Sequence, residues 1–180
     1  PELIDQIRRS ISGLRFELTE VGKSRFRDIL KCETMLGPIL RCMDEVGLLE
    51  LIVPDFANVH CLLQFNQYHA YTVDEHTFRA IEHLTSFRED QGELGRVYRS
   101  IQHPEVVHLA MLLHDLGKGF EEDHSQVGTR IAERIGRKLG FPKTQQKQLM
   151  LLVLRHLLMP NTAFWHDTTD PKILADFGEQ

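Results

Sequence analysis

Residues 104–119 read PEVVHLAMLLHDLGKG, and this stretch decides the fold. Pro104 suits the first position of a helix, where a missing N–H costs nothing. From Glu105 to Leu116 the segment is apolar nearly all round, as expected of a helix central in a core. Gly117-Lys118-Gly119 ends it. On the C-terminal side, Asp123 with Gln126 three residues on forms a second helix start, and Val127, Ile131, Ile135 and Leu139 recur every fourth residue behind it. Arg137 and Lys138 suit its last turn, and Gly140 with Pro142 closes it. Gln145 to Met159 reads as another largely apolar helix stopped by Pro160, and a last short helix begins at Pro171 with Asp170 as its cap.

On the N-terminal side, the polar stretch from Gln91 to Gln102 reads as a loop or short helix. Thr72-Val73-Asp74-Glu75 has the form of a capping box, with a helix expected from there to about Phe87 and His76 in its first turn. Leu48 to Phe56 is apolar but broken by Pro54, so it makes no convincing strand. A short helix from Pro38 carries Met43 and Val46, and Gly47 stands where a left-handed cap belongs. Ser24 is placed to cap a helix with Phe26, Ile29, Leu30 and Met35, interrupted at Gly37-Pro38. Ile4, Ile7, Ile11, Leu14 and Leu18 form one stripe of an amphipathic helix. No segment alternates with period two for long enough to build a sheet. The expectation is an all-α bundle of about seven to nine helices, with residues 1–56 as a helical arm or linker and 57–180 as the main domain.

Composition agrees with a folded, water-facing protein. Of 180 residues, 42% are apolar and 26% charged, near the averages for globular domains. Lys and Arg total 21 against 26 Asp and Glu, a net charge of -5, which removes the basic field that sequence-independent nucleic-acid binding requires. No apolar run is long enough for a membrane span, and no leader pattern opens the chain. Cys32, Cys42 and Cys61 are odd in number and form no CxxC, so they read as buried thiols in a reducing cytoplasm. A chain that opens on Pro1 fits a piece of a longer polypeptide.

The ten histidines point to chemistry. His114-Asp115 closes the most apolar helix, where a buried charge is costly unless paired or bound to a metal. One ion can take the imidazole while the carboxylate reaches it and bridges to a second. His76 and His124 fall in first turns of capped helices and His156 near the end of another, ends that converge in a bundle. Imidazole plus carboxylate without thiolate suits Mn, Fe, Zn, Co or Ni, with Mg at a more carboxylate-rich position. A single histidine at a core edge is more often a hydrogen-bonded packing residue than a ligand. The ordered set is what argues for a metal.

That set, His76, then His114-Asp115 with Leu116-Gly117-Lys118, then His124 and His156, resembles the HD superfamily of metal-dependent phosphohydrolases. Within it, the tracts QFNQYHAYTVDEHT (64–77), LLHDLGKG (112–119), DHSQVG (123–128) and RHLLMPNTA (155–163) are similar to the HD domain of the bacterial PII uridylyltransferase/uridylyl-removing family. MDEVGLLELIVPDF (43–56) fits the segment that precedes that domain. The resemblance implies a first metal on His76, His114 and Asp115, a second on Asp115, His124 and His156, and Lys118 near the substrate phosphate. The two divalent ions would be Mn, Mg, Fe or Zn. His69 belongs to the matching tract, either supporting the ligands or merely structural. Arg155 stands where the family has the first of two histidines. The family's late aspartate ligand has only Asp167 and Asp170 as candidates before Asp176, and neither fits its position. The implied reaction is removal of UMP from a tyrosine of the PII signalling protein, within a cytoplasmic chain that also carries nucleotidyltransferase and ligand-sensing domains, with no nucleic acid or membrane as partner. Two alternatives use the same residues: an HD hydrolase of free nucleotides or an alarmone, and a catalytically silent regulatory module. The discriminator is an open cleft for a protein substrate against an enclosed pocket for a free nucleotide.

Overall fold

The computed structural model describes residues 2–11, 17–63 and 71–178. Among them the fold is all-α, as expected, with no strand. The helices are α1 (Glu2–Ile11), α2 (Glu20–Leu30), α3 (Leu36–Glu45), α4 (Leu48–Ile52), α5 (Val73–Ser86), α6 (Glu93–Arg99), α7 (Pro104–Leu113), α8 (His124–Lys138), α9 (Lys143–Leu154), α10 (Leu158–Trp165) and α11 (Pro171–Gly178). Short 3-10 turns cover Pro54–Asn58 and Leu116–Gly119. The apolar stretch 48–56 is therefore one helical turn followed by a 3-10 turn.

α7 is the centre of the molecule. Leu109, Leu112 and Leu113 are completely buried, and α2, α5, α8 and α9 pack around them. Burying a leucine of this kind contributes about 1.5–3 kcal/mol, so one continuous apolar cluster holds the helices in register. It runs from Phe26, Leu30 and Leu40 through Phe56 and Ile81 to Ile135, Leu149 and Val153. The segment 17–56 thus shares its core with the rest. α10 and α11 lie at the edge and bury no residue.

Several helix ends differ from the sequence expectation for identifiable reasons. α2 begins at Thr19, not Ser24: the Thr19 hydroxyl accepts from the Gly22 N–H at 3.1 Å, and the helix continues through Gly22. Gly37 and Pro38 lie inside the first turn of α3, where no intrahelical N–H is needed from Pro38. Thr72 does sit at the N-cap of α5, but its side chain makes no capping bond and the reciprocal box is not formed, because Glu75 is taken up by Arg41 and Arg79. Asp123 caps α8 through the Gln126 N–H at 3.0 Å, and Gly47 and Gly140 adopt the left-handed conformation (φ 78° and 72°). The apolar run 145–159 breaks at Arg155–Leu157 rather than at Pro160, which is accommodated in the first turn of α10. The cysteines correct the expectation of buried thiols: Cys32 is half-buried, and Cys42 and Cys61 are exposed. Leu14 and His69 lie outside the described residues.

Candidate metal centre

Four helix ends meet beside α7. His114 is the residue at which α7 stops, and Asp115 follows in the sparsely populated bridge conformation (φ -107°, ψ 2°) that turns its carboxylate back under the helix end. Gly117 is required here: a Cβ at that position would stand 2.0 Å from the His124 carbonyl, so only glycine lets the 3-10 turn lie against the start of α8. That close approach puts His124, the first residue of α8, at the site. His156 comes from the turn after α9. His76 comes from the first turn of α5, a helix held to α3 by Arg41, which bonds Glu75 at 2.6 Å and Glu82 at 2.7 Å and lies over the Phe78 ring.

His114 and His156 are oriented by the same local device. The last carbonyls of a helix lack intrahelical partners, and each imidazole folds back to satisfy one. His114 Nδ1 is 2.7 Å from the Met111 carbonyl, and His156 Nδ1 is 2.7 Å from the Val153 carbonyl. A carbonyl only accepts, so both Nδ1 atoms are protonated and donate, and Nε2 of each ring faces inward. Both nitrogens face the Asp115 carboxylate: His114 Nε2 lies 3.2 Å from Oδ2 and His156 Nε2 lies 3.6 Å from Oδ1. His76 Nε2 is 3.8 Å from Oδ2. The His76 and His114 ring centres are 5.5 Å apart, and those of His124 and His156 are 5.3 Å apart.

Two groups of three donors result, each with its ligand atoms within 4.8 Å of one another: His76, His114 and Asp115, and Asp115, His124 and His156. They share Asp115. The donor set fits divalent cations on an observation independent of the motif. Nε2 of His124 and Nε2 of His156 are buried with no hydrogen-bond partner, a condition that costs about 1–3 kcal/mol per group and is relieved by a cation. Lys118 supplies positive charge from the other side, with Nζ 2.7 Å from Asp115 Oδ2. Burial pushes the Asp115 carboxyl up, but the bonds and charges of His114 and Lys118 outweigh it and hold the group well below the usual carboxylate range. Burial lowers His156, and neighbouring His114 and His124 lower it further against the pull of Asp115, which keeps its ring neutral and ready to ligate.

Next to the donors is an open cleft of about 400 Å³, with Ala80, Val107, Ala110, Met111, Leu152 and Leu157 on its apolar side and His76, His114 and His156 on its polar side. A larger groove of about 730 Å³ lies away from this chemistry, over residues 17–23 and α8. Its Lys23, Arg130, Arg134 and Arg137 are each paired with a carboxylate.

The structure brings together His76, His114, Asp115, Lys118, His124 and His156. It does not bring in Arg155, which is exposed as the cap of α9. Asp167 and Asp170 are exposed too and engaged locally, Asp167 with Thr169 and Asp170 with the Lys172 N–H. Sequence reasoning missed the Met111 and Val153 carbonyl anchors. A histidine one or two residues past a helix end, three residues beyond an open carbonyl, was the signal for both. It also missed the apolar wall of the cleft, whose residues come from three helices and a turn.

Among the described residues no helix is long and apolar enough to cross a membrane. The HD domain family matches residues 73–177. The bifunctional uridylyltransferase/uridylyl-removing enzyme of Ruegeria pomeroyi is 40% identical over 147 residues, covering 78% of this chain and 16% of the relative. The enzymes of the same name from Erythrobacter litoralis and Pseudomonas savastanoi pv. phaseolicola are 41% and 35% identical, over 84% and 87% of this chain and 17% and 18% of their own length. The chain therefore spans less than a fifth of the curated relatives it matches.

Proposed function

The chain belongs to the HD domain family, and from that premise we propose that residues 57–180 form a metal-dependent phosphohydrolase, with the N-terminal helices packed against it, that removes UMP from a uridylylated PII signalling protein. The observation that carries the reading is the pair of donor groups sharing Asp115, with Nε2 of His124 and Nε2 of His156 buried there without a hydrogen-bond partner. His76, His114 and Asp115 would hold one divalent ion and Asp115, His124 and His156 the other, as Mn, Mg, Fe or Zn. Bound there, such ions supply an acidified water as nucleophile and a clamp on the attacking and leaving oxygens.

The chain's own residues do the rest. The Met111 and Val153 carbonyls fix the ring planes of His114 and His156, so the donors need little reorganisation. Lys118 keeps Asp115 ionised and offers an ammonium to the phosphoryl oxygens as negative charge builds on them. The open cleft favours a phosphodiester carried on a protein over a free nucleotide, which usually binds in an enclosed pocket. Its apolar wall suits the ring of a tyrosine, and a phenol of pKa about 10 is a tolerable leaving group. The nucleotidyltransferase and ligand-sensing functions belong to other parts of a longer cytoplasmic chain in this reading.

The test supplies the metal-loaded protein with uridylylated PII, nucleoside monophosphates and an alarmone side by side. Release of UMP from PII, with Lys118→Ala slowing turnover about 10–100-fold at unchanged metal content, is the expected result. Turnover of the free nucleotides alone overturns the substrate assignment, and no hydrolysis of any of them overturns the activity.

A further inference from the structure

A second group of metal-type donors lies outside the centre described above. His60, Cys61 and Asp74 place an imidazole nitrogen, a thiol sulfur and a carboxylate oxygen within 4.8 Å of one another. Cys61 stands in the left-handed conformation (φ 54°), and its N–H donates to Asp74 Oδ2 at 3.0 Å, which draws the 60–61 turn onto the first turn of α5. A fourth donor approaches from α3. His60 Nδ1 is 3.8 Å from Asp44 Oδ1 and 3.8 Å from Asp74 Oδ2, beyond hydrogen-bond distance from either carboxylate. Asp44 Oδ1 is buried and has no hydrogen-bond partner. Two carboxylates from different helices therefore converge on one imidazole without bonding it, beside a free thiol.

We propose that His60, Cys61 and Asp74, with Asp44 facing them, form a separate structural site for a thiophilic divalent cation of the zinc type. The donor chemistry separates it from the phosphohydrolase centre. A thiolate with an imidazole selects Zn²⁺ or Co²⁺ over Mg²⁺ or Mn²⁺, whereas the centre around Asp115 contains no sulfur. Bond lengths of about 2.0–2.3 Å to zinc require the donors to close in by a fraction of an ångström to about one ångström. His60 and Cys61 are exposed and on a turn, so they can make that movement around the anchored Asp74. A cation here ties the segment before α5 to α3 and to the turn that bears His76, two residues beyond Asp74. It stiffens one wall of the catalytic cleft without belonging to it.

Cobalt tests this without interference from the other centre, because only a thiolate ligand gives the intense near-ultraviolet sulfur-to-cobalt charge-transfer band. Titration of the metal-free chain with Co²⁺ should produce that band. Cys61→Ser should abolish it, His60→Ala should weaken it and shift it to higher cobalt concentration, and His114→Ala should leave it intact. Both His60 and Cys61 are exposed, so these variants fold, and circular dichroism verifies it. Absence of the band at saturating Co²⁺, or its survival in Cys61→Ser, overturns the site. A band that ignores His60→Ala reduces the feature to an adventitious thiolate and also overturns it.

Discussion

His108 and His114 stand six residues apart, His108 within α7 and His114 at its C-terminal end, both shielded from solvent, and they do opposite things. His108 is saturated: Nδ1 donates to the Leu30 carbonyl at 2.6 Å and Nε2 is 2.8 Å from the Tyr98 hydroxyl. Burial pushes that phenol up to about 12, so it is a hydroxyl that donates and Nε2 accepts. His114 uses the same nitrogen to bond a carbonyl, but its other nitrogen faces a carboxylate. Residue type, burial and helix are nearly the same. The difference lies in what the second nitrogen meets, a proton donor for His108 and an anion for His114. The first arrangement is complete as it stands, and the second calls for a cation.

The comparison makes its largest prediction at Asp115. Asp115→Asn keeps the shape but removes the charge shared by both donor groups, so bound metal should be lost and hydrolysis should fall by on the order of 10³-fold or more. Elemental analysis and single-turnover hydrolysis measure the two effects. The fold should survive, since far-ultraviolet circular dichroism reports helices held by the apolar cluster. A variant that keeps full metal content would break the distinction between the two histidines at its root.

The mirror-image change is at His108. His108→Ala leaves the Tyr98 hydroxyl and the Leu30 carbonyl without their partner and opens a cavity between α2, α6 and α7, so stability should drop by about 3 kcal/mol. Tyr98→Phe removes one of the two bonds and should cost about 1 kcal/mol. Chemical denaturation reads both. Metal affinity of the folded fraction should not change in either variant, and a loss of metal with His108→Ala would show that the two ends of α7 are coupled.

How much of this could be read before any coordinates follows from the same contrast. The central helix and the Asp123 cap were legible, because an all-round apolar run and a cap at a fixed offset are local signals, but α7 ends at Leu113 rather than at Gly117, which lies inside the following 3-10 turn. His76, His114, Asp115, His124 and His156 could be listed together from the sequence because each stands at a helix end marked by a local cap or stop, and the structure brings their donor atoms within 4.8 Å of one another in two groups. The start of α2 was misplaced because Thr19 and Ser24 are both good caps, and packing of Phe26 and Leu30 selects the longer helix. The break after α9 was misplaced because Pro160 is disruptive inside a helix but harmless in a first turn. The Thr72 box failed because Arg41, distant in sequence, claims Glu75. His108 could not be told from His114 at all, since the partners that complete it come from residues 30 and 98. Nor could His60, Cys61, Asp74 and Asp44 be grouped, because a turn and two helices bring them together.

Metal removal should have a smaller, selective effect. A ligand that binds only the folded state stabilises it by about 2.7 kcal/mol when present at a hundred times its dissociation constant. A chelator should therefore lower the melting temperature of the wild type and of His108→Ala by a similar amount. In a Cys61→Ser background, which removes the separate site at His60, Cys61 and Asp74, it should leave Asp115→Asn almost unchanged, and thermal denaturation with and without chelator measures all three. A metal-induced shift that persists in Asp115→Asn would place the stabilising ion elsewhere.

The smallest effect separates the two histidines by pH. Burial lowers the pKa of His108, against the upward pull of its bond to Leu30 and of the Glu33 and Glu105 charges. In the unfolded chain the same ring titrates near about 6.5. Above that value His108 is neutral in both states and its contribution to stability is complete. As pH falls below it, the unfolded chain takes up a proton that the folded protein refuses, so stability declines until the depressed folded pKa is reached. The decline approaches about 1.4 kcal/mol per pH unit for one such group. His156 has a lowered pKa as well, so the metal-free wild type should carry two contributions of the same sign. His108→Ala should keep only that of His156, and His156→Ala only that of His108. Denaturant midpoints measured between pH 7.5 and pH 5, a range chosen to bracket the unfolded value, give the slopes. Metal should steepen the part that belongs to His156, because a proton on Nε2 competes with the ion, and should not touch the part that belongs to His108. An equal response of both slopes to metal would mean that the saturated histidine and the ligand histidines titrate as one unit, and that the division drawn along α7 is false.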